Sequence, residues 1–145
     1  MADTTYQILR DAIRDKLLTI ANFQEVHRFP KLEFEGFPAV CVEPADMESD
    51  WETNTELERT YSFNLFIYYE TKMSGNDTAL DRLFNTIDEV LDAFDKDQTL
   101  TGISLPAGKD ILTINPTPQG WEGLSDNEYI QSRVLLTIKI STDIS

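Results

Sequence analysis

Tyr6, Leu9, Ile13, Leu17 and Ile20 recur at spacings of 3, 4, 4 and 3, which is one stripe of an amphipathic helix. Thr4-Thr5 offers a capping hydroxyl in front of it, and Arg10, Asp11, Arg14 and Asp15 occupy the other side. Pro30 and Pro38 then interrupt the chain, predicting two short extended pieces, roughly Gln24–Phe29 and Phe37–Glu43. Pro38 falls near the start of the second, where a missing N–H is tolerated. Ala45 to Glu56 carries Asp46, Glu48, Asp50, Glu52 and Glu56 around Met47 and Trp51, and reads as an acidic connecting loop. From Leu57 to Tyr69 the period becomes two. Leu57, Arg59, Tyr61, Phe63, Leu65, Ile67 and Tyr69 alternate with Glu58, Thr60, Ser62 and Asn64, then with Phe66 and Tyr68, the pattern of a long strand.

Gly75-Asn76-Asp77-Thr78 ends that strand and starts a second helix, with Thr78 and Asp81 in the spacing of a capping box. Leu80, Leu83, Phe84, Ile87, Val90, Leu91 and Phe94 form a wide apolar stripe, suited to packing on a flat surface. Gly102, Pro106 and Gly108 mark a loop, and Ile111–Ile114 a short strand. Asn115 to Asn127, with Pro116, Pro118, Gly120 and Gly123, reads as a long loop carrying Trp121. The last strand runs from about Tyr129 to Ile140. Ile130, Val134, Leu136, Ile138 and Ile140 face one way, and Gln131, Arg133, Leu135, Thr137 and Lys139 the other. The expected fold is α+β in the order α-β-β-β-α-β-β: a mostly antiparallel sheet of about five strands with two helices on one face. No repeat or linker divides the 145 residues, so residues 1–145 are expected to form a single domain.

Composition removes several functions. With 12 Lys+Arg against 26 Asp+Glu the chain carries a formal charge of −14. That disfavours binding to phosphate backbones and to anionic membrane surfaces. A single cysteine, Cys41, forbids an internal disulfide, and with a single histidine, His27, it falls short of a structural zinc set of about four ligands. Met-Ala-Asp-Thr-Thr has an acid where a signal peptide has a base, and the most apolar window, Phe63–Tyr69, is far shorter than the ~20 residues of a spanning helix. The expectation is a soluble chain made in a cytoplasm.

Candidate chemistry is thin. Gly102 to Gly108 followed by Lys109 and Asp110 imitates a phosphate loop, but has one residue too many between its glycines and a carboxylate where a magnesium-binding hydroxyl belongs. Asp95, Asp97 and Thr99 have the opening spacing of a calcium loop, but Leu100 and Pro106 stand where the turn glycine and the bidentate Glu are needed. Asn76-Asp77-Thr78 matches a glycosylation acceptor and is better read as the helix start. Cys41 and His27 could meet across neighbouring strands as nucleophile and base, yet Cys41 lies between Val40 and Val42, the setting of a buried small hydrophobe. No catalytic residue, metal or cofactor is expected.

The unexplained features are surface features. Phe66 and Tyr68 lie on the even face of the long strand, and Leu135 on the polar face of the last one. With both helices on the odd face, these three form the expected subunit interface. Trp51, flanked by Asp50 and Glu52, and Trp121 lie in expected loops and are the candidate partner-docking residues.

Phe37-Pro38-Ala39-Val40-Cys41-Val42, the acidic stretch after it, and the alternating strand Tyr61–Tyr69 followed by a capped helix resemble the tail terminator proteins of long-tailed bacteriophages, the lambda type. Related head–tail connector proteins share this small α+β plan. The resemblance implies a homohexameric ring in the virion, at the tail or neck. Such a ring caps the tail tube, stops its polymerisation and joins it to a head-completion or connector protein, while DNA passes through the lumen without specific binding. The Asp46–Glu56 stretch is then expected to reach a neighbouring ring or the tube. A small acidic enzyme and an acidic DNA mimic are the competing readings.

Overall fold

The alternating run becomes the central strand of a five-stranded sheet in the computed structural model. The structure describes residues 5–20, 23–27, 36, 38–51, 56–70, 76–97, 100, 103–124 and 129–143, with side chains left out at 46–51, 56, 76–79, 121–124, 129 and 143. Its elements are α1 (Thr5–Leu18), β1 (Glu25–His27), β2 (Ala39–Trp51), β3 (Glu56–Glu70), α2 (Asn76–Lys96), β4 (Lys109–Leu124) and β5 (Tyr129–Asp143). The order across the sheet is β1-β2-β3-β5-β4, and every pairing is antiparallel except β1 with β2. The expected α+β class and element order are therefore those observed.

Both helices cover the odd face of β3. Leu9, Ile13 and Leu17 of α1 and Leu83, Val90 and Phe94 of α2 are fully buried in one cluster with Phe63, Leu65 and Ile67 of β3 and Val134, Leu136, Ile138 and Ile140 of β5. Burying one such side chain contributes about 1.5–3 kcal/mol. Arg82 fixes the first half of α2: its Nη1 donates to the Tyr69 hydroxyl at 2.8 Å. Lys16 Nζ meets Asp97 Oδ2 at 3.2 Å, joining the C-terminal ends of the two helices across the sheet.

The acidic stretch is not a loop up to Trp51. β2 continues through it, shifts register between Pro44 and Met47, and pairs Met47–Trp51 with Leu57–Tyr61. The first half of β3 supplies an extended backbone to bond to, which outweighs the poor strand propensity of Asp and Glu. The stretch from Asn115 is likewise strand as far as Leu124. Pro116 and Pro118 fit because β4 is an edge strand, where a lost N–H breaks no ladder on the open side. A second register shift, between Pro118 and Trp121, absorbs the extra residues. There Gly120 has φ +102°, and its carbonyl accepts a 2.8 Å bond from the buried Ser132 hydroxyl.

Two smaller expectations change. α2 begins at Asn76, so Thr78 lies inside its first turn and is not the cap. β1 runs parallel to β2, against the antiparallel expectation for neighbouring strands. The pairing spans three residues only, and the Gly36 N–H donating to Glu25 Oε2 at 2.8 Å and the Gln24 N–H donating to the Pro38 carbonyl at 2.9 Å hold the returning chain beside β1.

Candidate docking surfaces

Register puts the three expected interface residues on one face. Phe66 pairs with Arg133, Tyr68 with Gln131, and Leu135 with Asn64, so all three stand on the pleat opposite the helices. Leu135 and Phe66 are diagonal neighbours, within reach of an aromatic side chain. Each of the three is partly exposed; none is fully buried. The same face holds Ala39 opposite Tyr68 and Cys41 opposite Phe66, both at 0% exposure, so it is closed towards β1 and opens towards β5.

Tyr68 is the polar member of the patch. Burial, reinforced by Cys41 and Glu43, pushes its hydroxyl up to about 12, so the phenol stays neutral at ordinary pH. Its oxygen accepts a 3.4 Å bond from Gln131 Nε2. Rings with a neutral hydroxyl at one edge suit an interface that is partly wet.

Strand pairing brings His27 and Cys41 opposite each other, the juxtaposition a nucleophile and base would use. The surroundings differ from such a site. The Cys41 thiol is buried, a setting that suppresses thiolate formation. His27 Nε2 lies 2.9 Å from Glu25 Oε1, an ion pair when the imidazole is protonated. Among the described residues no group of three or more His, Cys, Asp or Glu could hold a metal ion. No helix among them is long and apolar enough to cross a membrane.

The docking tryptophans fall in strands and at opposite ends of the sheet. Trp51 pairs with Leu57, and Trp121 with Ser132, which in turn pairs with Ile67. From Leu57 to Ile67 along β3 is about 33 Å at the usual rise per residue. Asp50 pairs with Glu58 beside the first tryptophan, and Glu52 lies outside the described residues.

Three exposed apolar side chains were not expected: Leu18 at 60%, Phe84 at 46% and Leu112 at 49%. Phe84 was assigned to the buried stripe of α2, but Leu83 and Ile87 define its centre, and Phe84 falls on the solvent side with Asp81 and Asp88. A narrower stripe in the sequence would have revealed it. Leu112 is the unpaired residue of the register shift between Ile111 and Thr113, for which the sequence holds no signal. An open groove of about 360 Å³ lies between the helix ends, lined by Ala12, Lys16, Thr19, Asp97, Leu100 and Ile103 among others. The Lys16–Asp97 pair neutralises its charge.

No protein family model matches the chain, and no curated protein matches it. A solved structure does. The fold is similar to that of a chain in the virion of a native gene transfer agent particle, with a TM-score of 0.58 and 15% sequence identity. The likeness covers 95% of this chain and 92% of that one. At this identity what the two chains share is the fold.

Proposed function

We propose that this chain is a structural virion protein, and specifically a tail terminator: a ring-forming subunit that caps a tail tube, halts its growth and presents a surface to the head connector. The fold of a virion chain, matched over 95% of this one, supports the coarser part of the reading. The observation that carries the finer part is the two-ended sheet, with Trp51 at one end and Trp121 at the other. A cap between two partners needs two separate contact regions on a rigid body, and one continuous sheet supplies that body. Head-to-tail ring contacts need two unlike apolar patches on each subunit. The Phe66–Tyr68–Leu135 face is one, and the exposed Phe84 or Leu112 offers the other. Capping requires binding and no bond-making, in keeping with a buried thiol and an ion-paired histidine. A charge of −14 repels phosphate, which suits a channel that DNA crosses without sticking.

Light scattering on the purified chain is expected to give a particle about six times the 16.6 kDa subunit, or a monomer that forms rings only on tails. Electron microscopy of particles made without the protein is expected to show overlong tails. Tails of normal length would remove the capping role. The same two-ended geometry serves a neck connector, and crosslinking separates the two: a terminator joins the tube protein, a connector only the portal side.

A further inference from the structure

The two edges of the sheet are built differently. β4 forms one edge, and there Pro116 and Pro118 lack N–H groups while two register shifts break the ladder, devices that discourage strand addition. On the other side β1 covers β2 only at Ala39, Val40 and Cys41. Beyond the shift at Pro44/Met47, Met47–Trp51 pair regularly with Leu57–Tyr61, and no described residue pairs with them on their outer side. Alternate residues of such a segment turn backbone N–H and C=O groups outward, ready to bond to another strand.

Charge beside this edge is one-sided. Asp46, Glu48 and Asp50 lie in the segment, and Glu48 and Asp50, two apart, share a pleat. Asp50 stands directly opposite Glu58, an arrangement of like charges that is unfavourable across a strand pair. Lys139 Nζ, half exposed, approaches Glu58 only to 3.7 Å. A cation laid along the edge relieves this repulsion. A second copy of the chain is a poor source of it, because each copy carries −14.

We propose that Met47–Trp51 accepts, by strand addition, an extended segment of a partner protein carrying Lys or Arg at alternate positions. Main-chain hydrogen bonds supply affinity, and the cations over Glu48, Asp50 and Glu58 set register and exclude neutral or acidic strands. The inference concerns the isolated subunit and does not need the ring.

The test titrates the full chain with a short synthetic peptide alternating Lys with Val or Thr, and with the same peptide carrying Glu for Lys, followed by amide hydrogen exchange. The Lys peptide is expected to slow exchange at residues 47–51 and to bind about tenfold tighter than the Glu peptide, the combined effect of three ion pairs of ordinary surface strength. Added salt is expected to erase most of that difference. Asp50→Lys with Glu48→Lys is expected to reverse the preference; should that variant fail to fold, the near-isosteric Asp50→Asn with Glu58→Gln is expected to reduce it several-fold. Equal binding of the two peptides, or protection away from 47–51, overturns the proposal. So does concentration-dependent protection of 47–51 in the chain alone, which makes a second copy the occupant.

Discussion

The ring of Tyr6 in α1 stacks on the ring of Phe63 in β3, with centroids 5.1 Å apart and planes inclined by 28°. Phe63 is fully buried at the middle of the central strand, so this contact docks the first helix onto the sheet. Phe63→Ala is expected to cost about 3–5 kcal/mol in urea unfolding. A double-mutant cycle with Tyr6→Leu should leave a coupling of about 1 kcal/mol. Strict additivity of the two substitutions would show that the stacking contributes nothing beyond burial.

Gly120 and Ser132 together hold the second register shift of β4. A methyl group at Gly120 meets no atom within 4 Å, so the cost of Gly120→Ala comes from its φ of +102° alone. We expect about 1 kcal/mol, visible in the unfolding midpoint. Ser132→Ala removes the donor to the Gly120 carbonyl from a site 1% exposed, and should cost about 1 kcal/mol as well. A neutral result for Gly120→Ala would mean that the strand relaxes out of the shift.

Tyr68 makes stability sensitive to strong alkali. Its hydroxyl is raised from 10.0 to about 12 by burial first and by Cys41 and Glu43 next, so the folded chain holds that proton more tightly than the unfolded one. The stabilising contribution is complete below about pH 10 and is lost as pH rises through 12. Tyr6 is shifted the same way by burial, with Arg10 opposing. Tyr68→Phe is expected to flatten the alkaline loss and to remove one late-titrating phenol from the ultraviolet titration. Titration of every tyrosine in the ordinary range would contradict the buried environment of Tyr68.

The ring reading makes a prediction about surface variants. Phe66→Asp with Leu135→Asp should leave the circular dichroism spectrum unchanged and reduce the assembled particle to a 16.6 kDa monomer. Both positions are partly exposed, so a charge there reaches water in the free subunit but is buried unpaired in an interface. An intact ring in this variant would move the subunit contact to another face, and Phe84→Asp then becomes the informative substitution.

Much of the fold is legible in the residues. Strict alternation in Leu57–Tyr69 marks β3 because its odd side chains are buried and its even ones are not. The 3–4 spacing of Leu9, Ile13 and Leu17, and of Leu83, Ile87, Val90 and Phe94, marks the two helices for the same reason. The placing of Phe66, Tyr68 and Leu135 on a shared uncovered pleat also follows from period two alone. Their usefulness as an interface is a separate matter that a binding measurement decides.

What the chain determined by itself is thus whatever one element's periodic burial imprints on it: two helices, the central and last strands, their faces, the acidic charge and the element order. Tertiary structure alone decided the rest. Ala45–Trp51 and Asn115–Leu124 are strands because neighbouring backbones bond to them, not because their side chains demand it. Prolines survive in β4 only because it stands at an edge, and β1 lies parallel because of where the chain returns to it. Backbone hydrogen bonding carries no side-chain signature, so pairing, register shifts and the open edge at Met47–Trp51 emerge only once the strands are laid side by side.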